Sequence, residues 1–73
     1  MKIITWNINS VRKRLDLLKD LLEREKPDVI CLQETKVQDA DFPVSFFEEV
    51  GYGNVMFQGM KSYHGVAIAS PQK

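Results

Sequence analysis

The sequence predicts an α/β fold built on two parallel strands with a helix between them. Residues 2–6, KIITW, and residues 28–32, DVICL, are rich in β-branched and apolar side chains, as strands are. The segment between them carries apolar residues at helical spacing and ends at Pro27. A strand, a helix and a strand over about thirty residues form a βαβ unit, so the strands should run parallel with a right-handed crossover.

The first helix should run from residue 11 to about residue 26. Its apolar stripe is formed by residues at helical spacing, widened by two further leucines: Val11, Leu15, Leu18 and Leu22, then Leu17 and Leu21. Asn9 or Ser10 is the expected N-cap, because short polar side chains bond to free backbone N–H groups there. Pro27 ends the helix, since the residue before a proline is pushed out of the helical region.

The charges of this helix run against its macrodipole. Three basic residues, Arg12, Lys13 and Arg14, fall in the first turn, and Glu23 and Glu25 fall in the last. Each mismatch costs roughly 0.3–1 kcal/mol when exposed. Basic side chains at a helix N-terminus are one way to hold a phosphate. Ordinary solvated charges explain the same pattern, and the sequence leaves both interpretations open.

The remainder of the chain predicts one more helix and two more strands. Residues 37–42 are loop-like, and Pro43 suits the first turn of a short helix that stops at Gly51. Residues 54–58, NVMFQ, and residues 66–69, VAIA, are the last two strands, joined by a loop too long for a tight hairpin turn. The predicted order is therefore β-α-β-α-β-β. The second helix should turn these residues inward: Phe46, Phe47 and Val50.

Candidate site residues follow both parallel strands. Asn7 and Asn9 come after the first strand, and Glu34 comes shortly after the second. The carboxyl ends of parallel strands lie at the same edge of a sheet, where α/β proteins bind ligands and metals. On its own, Glu34 is better explained as a solvated loop acid or as an acid in the first turn of a helix. Its expected proximity to the asparagines makes it a candidate ligand.

Composition excludes several classes of function. The formal net charge is zero, which gives no global attraction to nucleic acid or membrane, so any anion site must be local. The single cysteine, Cys31, lies in a strand expected to be buried on both faces, so no disulfide or thiolate zinc site forms within the chain. No apolar run approaches the roughly 20 residues of a membrane span, and we expect an intracellular, cytoplasmic protein.

The last loop offers further binding groups. Lys61 and Tyr63 suit contact with a nucleic-acid backbone, although inert loops often have the same composition. The only histidine, His64, would need partners from elsewhere to act as a general base. The sequence also lacks the motifs of P-loop ATPases, dinucleotide-binding folds, zinc proteases and serine hydrolases. Oxygen-ligand chemistry at the sheet edge is what remains.

Three segments form a specific combined pattern. They are TWNIN at 5–9 followed by Val11 and Arg12, KPDVICLQETK at 26–36, and YHGVAI at 63–68. Together they resemble the exonuclease III family of bacterial apurinic/apyrimidinic (AP) endonucleases, within the endonuclease/exonuclease/phosphatase superfamily. The resemblance covers essentially the whole chain and matches the amino-terminal third of such proteins.

The resemblance implies the N-terminal part of a four-layered, deoxyribonuclease-I-like α/β sandwich that hydrolyses DNA phosphodiesters with Mg²⁺ or Mn²⁺. It assigns Glu34 to the metal and, through the metal, to catalysis, with Asn7 at the same site and Asn9 as a further candidate ligand. Its implied partner is double-stranded DNA with abasic sites or 3′ ends. His64 does not match the family's catalytic histidine. Arg12 and Tyr63 match positions that touch the DNA backbone, and Lys36 matches a lysine that braces this edge of the sheet. Together with Lys61 of the last loop, they are the expected DNA-binding residues.

Residues 1–73 are therefore expected to be an incomplete N-terminal portion of one endonuclease/exonuclease/phosphatase domain. The family's D-x-N motif and closing Asp-His pair do not occur in the sequence, so the chain alone should be inactive and should need the C-terminal portion as a partner. A truncated gene product, a split gene or an isolated fragment would each give such a chain. Two alternatives stay open: a non-catalytic or partner-binding remnant, and a superfamily phosphoesterase with a non-DNA substrate such as phosphoinositide.

Overall fold

The computed structural model describes residues 1–59 and 64–71 and has the α/β order predicted from the sequence. The strands are Ile3–Asn7 (β1), Val29–Gln33 (β2), Asn54–Gly59 (β3) and Gly65–Ser70 (β4), and the helices are Leu15–Glu25 (α1) and Val44–Glu49 (α2). The described strands form one four-stranded sheet in the order β1-β2-β4-β3. The predicted succession β-α-β-α-β-β is confirmed, with a 3₁₀ turn, Asp39–Asp41, in the loop before α2.

Parallel pairing of β1 with β2 confirms the βαβ unit. The register ends with Asn7 opposite Gln33. β4 lies antiparallel beside β2, and β3 lies antiparallel outside β4, in a hairpin that ends with Gly59 opposite Gly65. Both parallel strands therefore end at the same edge of the sheet, and the start of β4 lies at that edge as well.

One face of the sheet holds the hydrophobic core. The Phe42 ring stacks on Phe57 with a centroid distance of 4.1 Å, and Phe42 also stacks on Phe47. The predicted inward packing of α2 is confirmed, since Phe47 is buried while Phe46 and Val50 pack against the core. Further buried residues come from alternate positions of β2 and β4 and from helix-spaced positions of α1: Ile30, Leu32, Ala67, Ala69, Leu18 and Leu22.

The opposite face of the sheet is open over the described residues. Met56, Val66 and Ile68 are exposed there, and Cys31 is only half-buried. Burial alternates along β2, so that every second residue is fully covered. The prediction that this strand and its cysteine are buried on both faces is wrong for these residues, because the described elements cover one face only.

The chain enters α1 differently from the sequence prediction. A 3₁₀ turn, Arg12–Arg14, precedes the helix, and in this described segment no side chain caps either the turn or α1. The expected capping by Asn9 or Ser10 is therefore wrong. Because α1 starts after this turn, the basic residues lie ahead of the helix. Asp16 in its first turn and Arg24 in its last suit the macrodipole, whereas the two glutamates predicted for the last turn do lie there and oppose it.

The rest of α1 follows the predicted pattern with one exception. Leu18 and Leu22 are buried, whereas Leu17 is 58% exposed and lies outside the apolar stripe. The helix ends just before Lys26, which adopts a left-handed conformation ahead of Pro27. Within residues 1–59 and 64–71, no helix has the length and apolar character needed to cross a membrane.

A buried hydrogen bond ties together the segments that precede β3 and β2. The Tyr52 hydroxyl donates to the Pro27 carbonyl oxygen at 2.6 Å. Burial raises the pKa of Tyr52 above its ordinary value of 10.0, and the nearby Asp28 carboxylate adds to the rise. The tie therefore depends on a protonated tyrosine.

We predict that Tyr52→Phe destabilises the chain. The substitution leaves the buried Pro27 carbonyl without its donor, which should lower the free energy of unfolding by about 1 to 3 kcal/mol. Urea denaturation followed by circular dichroism measures the change. Arg24→Gln is the control: it breaks only an exposed ion pair with Asp20, 3.5 Å long, and should cost less than about 1 kcal/mol. Equal stabilities of Tyr52→Phe and the parent chain would contradict the assignment.

A second prediction concerns alkaline pH. Because the pKa of Tyr52 is raised on folding, the folded state retains the proton that the unfolded state releases. The corresponding stability is complete below the ordinary tyrosine pKa and is lost as pH rises from there through the folded value. Above about pH 10, the free energy of unfolding should fall more steeply with pH in the parent chain than in Tyr52→Phe. Parallel curves from pH-dependent denaturation would refute the prediction.

Candidate functional site

The parallel strands bring Asn7 and Glu34 into contact. Asn7 is the last residue of β1 and is paired with Gln33, the last residue of β2. Glu34 follows directly after Gln33. The Asn7 amide Nδ2 donates a hydrogen bond to Glu34 Oε2 at 2.5 Å. The Glu34 side chain is 42% exposed, so the carboxylate lies at the surface and open to a ligand. The convergence predicted from the βαβ unit is confirmed.

Lys36 and Asn9 form the second pair of the site. The Lys36 ammonium Nζ donates to Asn9 Oδ1 and lies 3.9 Å from Glu34 Oε1. Glu34 is thus flanked by the Asn7 amide on one carboxylate oxygen and by an ammonium near the other. Because the Asn9 oxygen already faces Lys36, Asn9 acts here as a brace for the lysine. Its role as a metal ligand stays a prediction.

Backbone hydrogen bonds hold the site from two sides. From the loop after β1, the N–H groups of Ser10 and Val11 donate to the carbonyls of Glu34 at 2.9 Å and Thr35 at 3.0 Å. From the β4 side, the Thr35 N–H donates to Gly65 O at 3.2 Å, and the Lys36 N–H donates to His64 O at 3.0 Å. The sheet pairing therefore continues past the ends of the strands and fixes the segment that carries Glu34.

Four non-glycine residues at this edge adopt positive φ angles. They are Asn9 at 50°, Ser10 at 89°, Glu34 at 54° and Lys36 at 55°. Such conformations cost of order 1–3 kcal/mol each and persist only where surrounding structure enforces them, most often at functional sites. The concentration of unfavourable backbone conformations marks this edge as a candidate functional site independently of its side chains.

A basic cleft adjoins the Glu34 site. Ser10, Arg12, Lys13 and Lys36 line it. The neighbouring Arg14 is oriented differently, since its Nε donates to the Ile8 carbonyl at 2.7 Å and supports the loop after β1. Arg12 thus shares this cleft with Lys36, whose Nζ lies 3.9 Å from Glu34 Oε1, and the contact of both residues with DNA stays a prediction. Lys13 is predicted from the sequence only as a helix charge, and its place in this cleft was not predicted.

The donor set fits part of a magnesium site. Mg²⁺ is bound by oxygen ligands, with one or two carboxylates completed by waters and substrate phosphates. Glu34 supplies one exposed carboxylate, and rotation of the Asn7 amide would turn its oxygen toward the same position. Within the described residues, no cluster of three or more His, Cys, Asp or Glu side chains is suitably arranged for a metal ion. The described chain therefore offers a half-site for such an ion.

Two predicted DNA contacts, Lys61 and Tyr63, lie outside the described residues, so their roles stay predictions. His64 is exposed and contributes its backbone carbonyl to the site edge. The structural roles of Thr35 and Gly65 were not predicted from the sequence. For Gly65 the sequence offers one signal, a glycine at the start of a strand. For Thr35 it offers none, because burial of the hydroxyl depends on packing from three separate segments.

The comparisons of this chain with known proteins agree on one family. The model of the endonuclease/exonuclease/phosphatase family matches residues 4–72. Exodeoxyribonuclease III of Haemophilus influenzae is 44% identical over 73 residues, which are 100% of this chain and 27% of that protein. The exodeoxyribonuclease of Bacillus subtilis is 40% identical, covering 100% of this chain and 29% of its own. The chain therefore spans less than a third of the length of these relatives.

Solved structures agree in fold as well as in sequence. An AP endonuclease from Archaeoglobus fulgidus superimposes with a TM-score of 0.93 and 46% identity, covering 100% of this chain and 28% of that one. The 3′ phosphatase NExo from Neisseria, bound to a product DNA hairpin, gives a TM-score of 0.91 and 41% identity over 96% of this chain and 27% of that one. The sheet thus has the architecture of the N-terminal part of AP endonucleases, which is deoxyribonuclease-I-like. The chain belongs to the endonuclease/exonuclease/phosphatase family.

Proposed function

We propose that this chain is the metal-binding N-terminal portion of a DNA-repair phosphodiesterase of the exodeoxyribonuclease III and AP endonuclease type. The observation that supports it most is the contact between Asn7 and Glu34 at the shared end of two parallel strands. An exposed carboxylate beside an amide suits a hard divalent cation, and the adjoining cleft is basic. Both features fit an enzyme that acts on phosphodiesters.

In this proposal Glu34 binds Mg²⁺ or Mn²⁺, Asn7 joins it, and Asn9 is a further candidate ligand. When bound, such an ion would polarise a phosphoryl oxygen and stabilise the leaving oxyanion. Lys36, 3.9 Å from Glu34 Oε1, offsets negative charge near that carboxylate and orients Asn9. Glu34 therefore contributes to catalysis through the metal, and the remaining catalytic groups come from outside this chain.

The proposed substrate is double-stranded DNA with abasic sites or 3′ ends. Arg12, Lys13 and Lys36 would bind backbone phosphates next to the reacting one, since they line the cleft beside Glu34. Lys61 and Tyr63 are proposed as further contacts on the strength of the sequence alone. The NExo structure with its product DNA hairpin shows that a related protein binds DNA. Contacts to phosphate would position the duplex without reading its sequence.

Activity should require the C-terminal portion of the domain. Of the described groups, only Glu34 is a carboxylate at the site, and hydrolysis needs a further base to position or deprotonate water. Two other functions remain as alternatives. A remnant that only folds or binds a partner would keep the fold without catalysis, and a phosphoesterase with a non-DNA substrate would use the same metal site.

The proposal predicts activity in a chimera. Residues 1–73 joined to the remainder of the Haemophilus influenzae exodeoxyribonuclease III should cleave a duplex with one abasic site in Mg²⁺, and the 73-residue chain alone should not. Glu34→Gln in the chimera removes the charged metal ligand and should lower kcat/KM by about 100-fold or more. Gel-based cleavage assays at several Mg²⁺ concentrations measure both effects.

The matched control for that assay is Glu23→Gln, which changes an exposed glutamate on α1. It should leave cleavage unchanged. Absence of cleavage by a folded chimera would favour the remnant, and hydrolysis of a phosphoinositide headgroup in preference to DNA would favour the alternative substrate. Full activity of the Glu34→Gln chimera would contradict the metal assignment.

The basic cleft gives a prediction about salt dependence. Lys13→Gln in the chimera removes one phosphate contact, so DNA binding should weaken about equally for all sequences. The slope of log K against log salt concentration should become shallower by about 1. Lys19→Gln, an exposed lysine further along α1, should leave the slope unchanged. Fluorescence anisotropy in Ca²⁺, which suppresses cleavage, measures the slope. Equal slopes for Lys13→Gln and the parent chimera would exclude Lys13 as a contact.

A further inference from the structure

Thr35 is held from both sides of the sheet edge, between Glu34 and Lys36. Its backbone N–H donates to the Gly65 carbonyl at 3.2 Å, and its own carbonyl accepts from the Val11 N–H at 3.0 Å. The residue is 1% exposed, and among the described residues its hydroxyl has no hydrogen-bond partner. Thr35 is therefore a buried, immobilised residue placed between the two charged residues of the site.

Gly65, the first residue of β4, approaches Thr35 closely because it has no side chain. A Cβ atom at position 65 would overlap the Thr35 hydroxyl oxygen, whereas it would lie at an ordinary 3.5 Å from Thr35 Cβ. Gly65 also has a φ of +117°, which L side chains rarely adopt. Position 65 thus requires glycine for two separate reasons, and only the first involves Thr35.

The residues on either side of Thr35 need this support. Glu34 and Lys36 have φ angles of 54° and 55°, which are unfavourable for residues with side chains. With these angles Glu34 meets the Asn7 amide and Lys36 meets the Asn9 oxygen. A shift of Thr35 would rotate the backbone on both sides of it, so both pairs depend on where Thr35 lies.

We propose that Gly65 and Thr35 are positioning residues for the Glu34 site. Glycine at 65 lets β4 pack directly against the Thr35 side chain, and this contact holds the 34–36 backbone in the conformation that places Glu34 beside Asn7. Neither residue touches the metal or the substrate. This inference deepens the proposed function, and its metal-binding part rests on that function. The placement of Glu34 against Asn7 can be tested without any metal.

Gly59 provides a matched control for Gly65. It is the cross-strand partner of Gly65, and a Cβ atom on it would also overlap a neighbour, in this case the Val37 carbonyl oxygen. Gly59→Ala therefore perturbs the same hairpin by a similar overlap, but at the Val37 backbone, beyond Lys36, and not at the Thr35 side chain. If Gly65 served only to form the hairpin, both substitutions would affect the Glu34 site equally.

The test is NMR of the 73-residue chain, using the side-chain amide resonance of Asn7, which reports its hydrogen bond to Glu34. Gly65→Ala should move this resonance toward its position in a Glu34→Gln reference. It should also raise the Mn²⁺ concentration needed to broaden the same resonance roughly 10- to 100-fold. Gly59→Ala should do neither. In the double variant Gly65→Ala/Thr35→Ala, the Asn7 resonance should return toward its position in Thr35→Ala alone, because the hydroxyl that causes the overlap is gone. Gly65→Ala/Thr35→Ser keeps the hydroxyl, so its Asn7 resonance should stay displaced as in Gly65→Ala.

The outcomes separate the two proposals. An unchanged Asn7 resonance and unchanged Mn²⁺ broadening in Gly65→Ala would overturn the positioning role while leaving the metal site intact. No Mn²⁺ broadening in the parent chain would overturn the metal site, and the Asn7 resonance would still test the positioning role. If Gly65→Ala does not fold, Thr35→Ala replaces it: removal of the contact should shift the Asn7 resonance, and an unshifted resonance would refute the proposal.

Discussion

The parallel register of β1 and β2 is the constraint on which the site depends. It ends with Asn7 opposite Gln33, so that Glu34, the first residue after β2, falls within hydrogen-bonding distance of the Asn7 amide. Strands that alternate direction would have put these groups at opposite ends of the sheet. A slip of one residue would turn Asn7 to the other face, because side chains alternate along a strand. The helical crossover through α1 is the connection that two parallel neighbouring strands require.

Strain at this edge is balanced by support from both neighbouring segments. Four residues with positive φ lie where the chain leaves β1 and β2, and each requires enforcement by its surroundings. The loop after β1 supplies two backbone hydrogen bonds to the Glu34 segment, and the start of β4 supplies two more. The site is thus rigid without being buried, which suits a carboxylate that must remain open to a cation and a phosphate. Glu34 is 42% exposed although Thr35 next to it is almost completely covered.

Much of this arrangement could be predicted from local pattern. The strand, helix, strand order and the convergence of Asn7 with Glu34 required only β-branched composition, helical periodicity and the handedness rule. Other features depend on contacts between distant residues and have no local signal. The insertion of β4 between β2 and β3 is one, and the half-covered state of Cys31 is another, since the sequence pattern of β2 reflects burial that the described elements provide on one face only. The helix start was mispredicted because Val11, just before the 3₁₀ turn at Arg12–Arg14, and Leu15, just after it, are four residues apart, as on one face of a helix.

The most direct measurement is the location of a divalent ion in the molecule itself. Crystals of the chain grown with Mn²⁺, with diffraction data collected at the manganese absorption edge, give the ion position from its anomalous signal. The proposed metal site predicts a peak bonded to a Glu34 carboxylate oxygen, with the Asn7 amide turned so that its oxygen faces the ion. A Glu34 side chain that keeps its hydrogen bond from Asn7 while Mn²⁺ occupies other carboxylates would contradict it.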